Sequence, residues 1–350
     1  MSYTLDQVAD ALQRQPRFEV ANLPTPLVFA PRFSALVGGE VWLKRDDLTG
    51  LALGGNKARK IEYLFGKARE KGEVDTVVTV GAAQSNHART VAAASRVAGW
   101  ECHLVLGGDR PRRPTGNLVL DVALGAHLHF TGTDSWETLQ AAADELATEL
   151  RSKGRRPLVI PMGGSTAVGA LGFVNAYLEL LSQLDDAGIR PTSIFHATST
   201  GGTQAGLDFA HGVLGTGPEV IGVGVAKTQT DLTSDVISLK QQIGEILGID
   251  AGPATATVLD GYMGEAYAAP TKGCEEAFGA LASTEAVLTD FVYSAKALHA
   301  VVDLAASSTE GPIVFWHTGG VPALFADTTE LPDRQTLAAQ ARASGSHSEM

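Results

Sequence analysis

Apolar runs closed by glycine alternate with stretches of helical periodicity along most of this chain, and that alternation leaves few folds open. Ile61, Leu64, Phe65 and Ala68 keep helical spacing and stop at Gly72, whereas 74–80 is a β-branched run ending at Gly81. The pattern repeats as a helix through Val91 and Ala94 to Gly99, a strand at 102–106, a helix around 118–124 and a strand at 127–130. A helix is expected to start near Asp134, where Glu137 could complete a capping box, and 157–161 brackets another strand. A second series follows the glycine-rich stretch 163–172, with strands at 193–198, 220–225 and 313–316 and a helix over 203–211. Buried strands alternating with amphipathic helices predict an α/β fold with parallel sheets covered on both faces.

At 350 residues the chain exceeds what one hydrophobic core usually serves, so two lobes are expected. The expected division places 1–56 with 171–340 in a larger lobe and 57–170 in a smaller one. The small, polar tail 341–350 reads as disordered.

A formal net charge of -12 argues against nucleic acid, which requires clustered Lys and Arg. The basic stretches 110–113 and 151–156 are short and read as solvated surface charge. Cys102 and Cys274 are the only cysteines, too few for a disulfide framework or a cysteine-ligated zinc site, and no metal site is expected. The N-terminus lacks an apolar signal core, and no later segment offers an uninterrupted apolar run of membrane-spanning length. A cytoplasmic protein without a membrane partner is the expectation.

Four segments could carry chemistry. In LGGNKARKIEYL, Gly54, Gly55 and Asn56 precede Lys57 at a helix start. There the helix dipole opposes the ammonium form and favours a nucleophilic amine; a solvent-exposed lysine after a turn is the plain alternative. In VGAAQSNHAR a strand ends at Gly81 and the next helix start exposes Gln84, Ser85, Asn86 and His87. Free N–H groups there suit a carboxylate or phosphate, while simple capping by Ser85 or Asn86 explains the same residues more modestly. In HATSTGGTQAG, Thr200, Gly201, Gly202 and Thr203 lie between strand and helix, where paired glycines let amides face a phosphate; a tight turn is the alternative. Finally, Tyr293 and Ser294 in DFVYSAK and Thr318, Gly319 and Gly320 in FWHTGGVPALF fall near a late strand end, where α/β sheets place their sites. Tyr267, in MGEAYAAP, is the weakest candidate by itself.

In order and wording these segments closely resemble the tryptophan-synthase-like (fold type II) pyridoxal 5'-phosphate (PLP) enzymes of the 1-aminocyclopropane-1-carboxylate deaminase and D-cysteine desulfhydrase family. The resemblance runs from Leu23-Pro24-Thr25-Pro26-Leu27 to Leu324. It implies PLP in a cleft between two lobes, held covalently by Lys57. It also implies Asn86 beside the ring hydroxyl, Thr200 to Thr203 around the phosphate, and Lys60 as a further cofactor contact. Ser85 matches the serine close to substrate, with Gln84, Asn86 and His87 around it, and Tyr293 and Tyr267 match the active-site tyrosines. A small amino-acid substrate and a homo-oligomer, most simply a dimer, are implied as well.

Two positions distinguish the branches of this family. Deaminases carry Glu where this chain has Ser294, and Leu where it has Thr318; the desulfhydrase branch has hydroxyl residues at both. Ala268 departs from the glycine that often follows the tyrosine, which bears on the shape of that part of the pocket. A carboxylate near the ring nitrogen would strengthen the electron sink more than a serine does, and breaking a cyclopropane C–C bond needs that help more than expelling a thiolate from Cβ. α,β-Elimination, with D-cysteine as the leading substrate, is therefore expected. In that reaction the substrate amine displaces Lys57, and the freed lysine takes the Cα proton. Deamination of the cyclopropane amino acid, sulfo-elimination from L-cysteate and a non-catalytic PLP-binding role are the alternatives.

Overall fold

Two separate sheets account for the apolar runs. The computed structural model describes residues 2–307 and 311–326, so the tail 341–350 lies outside the described residues. The chain begins with α1 (Leu5–Gln13), β1 (Leu27–Phe29), α2 (Pro31–Val37) and β2 (Val41–Arg45), and continues through α3 (Lys57–Glu70), β3 (Thr76–Gly81) and α4 (Asn86–Ala98). Then come β4 (Glu101–Leu106), α5 (Asn117–Ala123), β5 (His127–Phe130), α6 (Trp136–Ser152), β6 (Pro157–Ile160) and α7 (Ala167–Ala187). The second series is β7 (Ser193–Thr198), α8 (Gly202–Leu214), β8 (Glu219–Gly224), α9 (Gln229–Leu247), β9 (Thr257–Leu259), α10 (Lys272–Glu285), α11 (Ser294–Ala305) and β10 (Ile313–His317).

The smaller sheet has the order β5-β4-β3-β6 and is parallel throughout; the larger has the order β1-β2-β10-β7-β8-β9 and is parallel except for β1 against β2. β3 is buried at every position, as a strand covered on both faces must be. Helix α6 starts differently from the sequence expectation. Ser135, not Asp134, is its N-cap, its hydroxyl accepting from Thr138 N–H at 3.4 Å. The Asp134 carboxylate turns instead toward Gly107, where a Cβ would lie 2.5 Å from its Oδ1. Glu137 remains in the first turn, where the dipole favours it.

Helix α7 is long and apolar enough to cross a membrane by length and composition, but 61% of its apolar window is buried inside the protein. It is a core helix. Phe173, Val174, Tyr177 and Leu180 pack with α8 residues such as Leu207 and Phe209 in the largest apolar cluster. Glu179, on the same helix, meets a buried network. Arg59 of α3 makes paired bonds to Asp46 at 2.9 Å and to both oxygens of Glu179 at 2.8 and 2.9 Å. Lys44 also donates to Glu179, and Thr25 bonds Asp46. Two cations and two carboxylates thus neutralise one another and lock α3 to α7 and the end of β2. Gly172 permits the same close approach, since a Cβ there would lie 2.2 Å from the Arg59 carbonyl oxygen.

Candidate active site

The carboxyl ends of strands in both sheets face one cavity. Lys57 reaches it by an unusual approach. Ala52, Leu53, Gly54 and Gly55 all have positive φ, of 42°, 69°, 70° and 118°. Only glycine fits at 54, because a Cβ would lie 2.0 Å from the Asp47 carbonyl oxygen. The buried Arg89 of α4 donates to the carbonyls of Ala52 and Gly54 and to Asn117 Oδ1, so this loop is fastened from inside.

Lys57 is the first residue of α3, and its Nζ donates to Asn56 Oδ1 at 3.1 Å. Burial pushes its amine down, Asp290 opposes that and Arg89 adds to it, leaving the group at about 8. About a tenth is then neutral at pH 7, far more than for a lysine in water. This environment makes a usable nucleophile and base.

An anion cradle lies one helical turn away. Gly201 precedes α8 in the left-handed conformation, and no side chain caps that helix start. Lys60, buried and held well below the ordinary lysine range by desolvation and then by Lys57, donates to Ser165 Oγ at 3.1 Å and to the Gly163 carbonyl at 3.3 Å. A Cβ at Gly202 would lie 2.7 Å from Ser165 Oγ and 2.9 Å from Lys60 Nζ. Thr200 bonds Ser165 at 2.6 Å, Thr203 accepts from Asn56 Nδ2 at 3.1 Å, and the buried hydroxyl of Thr198 has no partner. An uncapped helix start, an amine bonded to no carboxylate and an unpaired hydroxyl fit a phosphate group.

Across the cavity, β3 ends at Gly81 and α4 begins at Asn86. Ser85 is the N-cap, its oxygen accepting from Ala88 N–H at 3.1 Å, so the modest reading of this residue holds. It also lines the cavity, and its own proton remains free to donate. Asn86 lines the cavity while accepting from Asn117 Nδ2 at 2.9 Å. His87 is on the wall too, but buried. Thr79 gives its proton to the Ile160 carbonyl, so His87 Nε2 must donate to Thr79 and Nδ1 keeps an unpaired lone pair. Burial, then Lys57 and Lys60, hold this imidazole neutral. Gln84 is spent elsewhere. Its side chain accepts from Asn117 N–H and donates to the Thr115 carbonyl, fastening the start of α5.

Tyr267 and Tyr293 line the opposite side and share a short hydroxyl–hydroxyl bond. Burial raises both phenols, Tyr293 well above its usual value, so both remain protonated. Trp136, at the start of α6, meets Tyr267 edge to face at 6.1 Å. Thr318 and Gly319 are on the wall, whereas Ser294 is one layer behind it, its hydroxyl proton going to the Asp290 carboxylate, with the Gly319 carbonyl oxygen at 3.1 Å. Asp290 reaches the cavity in its place. The glycine pair has a steric cause: a Cβ at Gly319 would lie 2.7 Å from Gly55 Cα, and one at Gly320 would lie 2.1 Å from Asp290 Oδ2.

The cavity therefore gathers every expected site residue except Gln84 and Ser294, and adds Asp290, Trp136 and Met162, which sequence reasoning passed over. The usable signal for Asp290 was its place four residues before Ser294, the spacing at which its carboxylate receives the N–H groups of the turn.

Comparison with known proteins adds a second line. The family model described as pyridoxal-phosphate dependent enzyme matches residues 19–319. A D-cysteine desulfhydrase of Klebsiella pneumoniae is 40% identical over 321 residues, covering 90% of this chain and 97% of that one. A putative 1-aminocyclopropane-1-carboxylate deaminase of Pyrococcus furiosus is 38% identical, covering 91% and 96%. The crystal structure of an ACC deaminase homologue superimposes with a TM-score of 0.86 at 34% identity, covering 95% of this chain and 99% of that one.

Proposed function

The chain belongs to the pyridoxal-phosphate dependent enzyme family, and from that premise we propose that it is a lyase eliminating the β-substituent of a small amino acid, with D-cysteine as substrate and pyruvate, sulfide and ammonia as products. The observation that carries this reading is the buried Lys57 amine, held at about 8 and placed between an anion cradle and the Ser85 helix start. The likeness to a D-cysteine desulfhydrase over nine tenths of the chain supports the substrate.

When bound, PLP supplies an aldehyde for the substrate amine and a ring that accepts electrons released at Cα. Thr200 to Thr203 with Lys60 would hold its phosphate, Lys57 its aldehyde carbon and Asn86 its ring hydroxyl. Lys57 Nζ then takes the Cα proton in its neutral form. Ser85 Oγ and the N–H groups starting α4 hold the substrate carboxylate. Tyr293 and Tyr267 act as proton donors, because burial keeps both phenols protonated. The bond between them spends one proton and leaves the other for the departing group. The hydroxyl residues Ser294 and Thr318 favour the desulfhydrase reaction over the deaminase one in this reading. We also assign it to the cytoplasm, where its two buried thiols, Cys102 and Cys274, stay reduced, and to a homo-oligomeric state.

The test is a side-by-side assay of keto-acid release from D-cysteine, L-cysteine, L-cysteate and 1-aminocyclopropane-1-carboxylate. Pyruvate with stoichiometric sulfide from D-cysteine is expected. Dominant 2-oxobutyrate from the cyclopropane substrate would overturn the reaction and leave the cofactor assignment standing.

A further inference from the structure

Far from the cavity, at the amino ends of the smaller sheet, β4 and β5 bring ionisable side chains onto one face. Glu101 and His103 alternate on β4, His127 and His129 on β5, and His103 is the direct partner of His127. This is the face that α6 covers, since Val105, two residues beyond His103, packs with Leu139, Ala143 and Ala147. β5 is the edge strand.

We propose that Glu101, His103 and His127 form a binding site for a divalent transition-metal ion of the zinc class, which clamps the edge strand β5 to β4. Glu101 Oε1 lies 3.2 Å from His103 Nε2 and 3.1 Å from His127 Nε2, and the three ligand atoms all fall within 4.8 Å of one another. Ligands about 2.0–2.1 Å from a tetrahedral zinc are about 3.3 Å apart, so both carboxylate–imidazole edges already have the required length. His127 is the exposed member, 55% accessible in its side chain, and has room to turn and close the third edge.

Outer groups aim these atoms. Arg155 bonds the other carboxylate oxygen, Oε2, which turns Oε1 toward the imidazoles. His129 Nε2 lies 3.0 Å from His103 Nδ1, so His103 can donate Nδ1–H there and direct its Nε2 lone pair to the ion, as metal-bound histidines do. Glu149 of α6 adds negative potential, against the positive charge of Arg110 near His129. Two imidazoles and one carboxylate form a donor set that suits zinc, with a fourth position open to solvent. Cysteine counting could not find it, because the histidines lie on neighbouring strands 24 residues apart and no cysteine takes part.

The experiment uses tag-free holoenzyme freed of metal by chelator dialysis, without substrate. Equilibrium dialysis against zinc(II) should show one more bound ion per chain in the parent protein than in His127→Ala. The thermal midpoint should rise by a few degrees with zinc in the parent and stay fixed in the variant. Absorbance of the bound cofactor and elimination activity without zinc should be equal in both. Equal zinc uptake, or equal shifts of the midpoint, would overturn the site; neither result depends on which amino acid the enzyme consumes.

Discussion

Ser294 Oγ lies 2.5 Å from Asp290 Oδ2, and the same carboxylate accepts the N–H groups of Val292 and Tyr293 from its other oxygen. The Asp290 N–H in turn donates to Ser294 Oγ at 2.8 Å. A hydroxyl that gives its only proton to a carboxylate can face a further partner only as an acceptor. Ser294 is thus backed by a carboxylate one hydrogen bond away, and the electronic contrast with a glutamate at that position is smaller than the residue names suggest.

Asp290→Asn keeps the shape and removes that charge. Asp290 also raises the Lys57 amine, so its loss moves that group below about 8. Apoprotein of the parent should recover the absorbance of lysine-bound PLP faster as pH rises, levelling off above about 8, because only the neutral amine attacks the aldehyde. In Asp290→Asn the rise should move to lower pH, while kcat for elimination falls about tenfold, the equivalent of ~1.4 kcal/mol. An unmoved pH profile would show that Asp290 does not act on Lys57.

Ser85→Ala removes a cap and a donor together. Loss of the cap costs about 1 kcal/mol of stability. Turnover should fall with the cofactor still bound. Ser85→Asn, which restores the cap, should recover the thermal midpoint but not the kinetics; a midpoint loss with unchanged kinetics in Ser85→Ala would confine Ser85 to capping.

Ala268 adopts φ 66°, the left-handed conformation in which an L side chain is strained, directly after Tyr267. A glycine would adopt this backbone without steric strain. Ala268→Gly should therefore stabilise the protein by up to about 1 kcal/mol, read as a raised midpoint in urea. A lowered midpoint would mean that the methyl group packs usefully.

The ion network around Arg59 has a pH signature. Burial alone would raise Glu179, but hydrogen bonds and charge from Arg59 and Lys44 outweigh it and hold the carboxyl at about 2, below its ordinary 4.5. Because the folded-state value is the lower one, this stabilisation is complete above about pH 4.5 and is lost as pH falls toward 2. Arg59→Met should cost about 3–5 kcal/mol at pH 7 by leaving the buried Asp46 without its cation and Glu179 with Lys44 alone, and should flatten the acid limb of stability over that interval.

The strand and helix alternation was legible because each element carries its own period, and so were the segments that line the cavity, because each holds polar residues beside glycine. Side-chain allegiance was less legible. Gln84 stands in a polar run at a helix start, yet Asn117, distant in sequence, claims its amide. Ser85 proved to be both cap and wall, which no single-residue preference can separate. Asp290 went unread because an acid ahead of an apolar stretch looks like a surface turn until β10 folds beside it and Gly320 makes room for the carboxylate. The expected capping box at Asp134 failed for a similar reason, since contact with Gly107 outweighs the local pattern.

Fastening α3 to α7 and β2 through Arg59 has a consequence for how such an enzyme can change. Lys57 and Lys60 lie on a helix that packs, like α8, against α7, whereas Ser85, Asn86 and Trp136 stand at the starts of helices that follow strands of the other sheet. The proposed seats for the coenzyme's aldehyde and phosphate are therefore carried by helices of one sheet, and the proposed contacts to its ring hydroxyl and to the substrate carboxylate by a helix of the other. Substitutions at Ser85 and around Trp136 would retune selectivity while the proposed Lys57 and phosphate seats stay intact, so one scaffold can be diverted from one amino acid to another without passing through a form that has lost its chemistry.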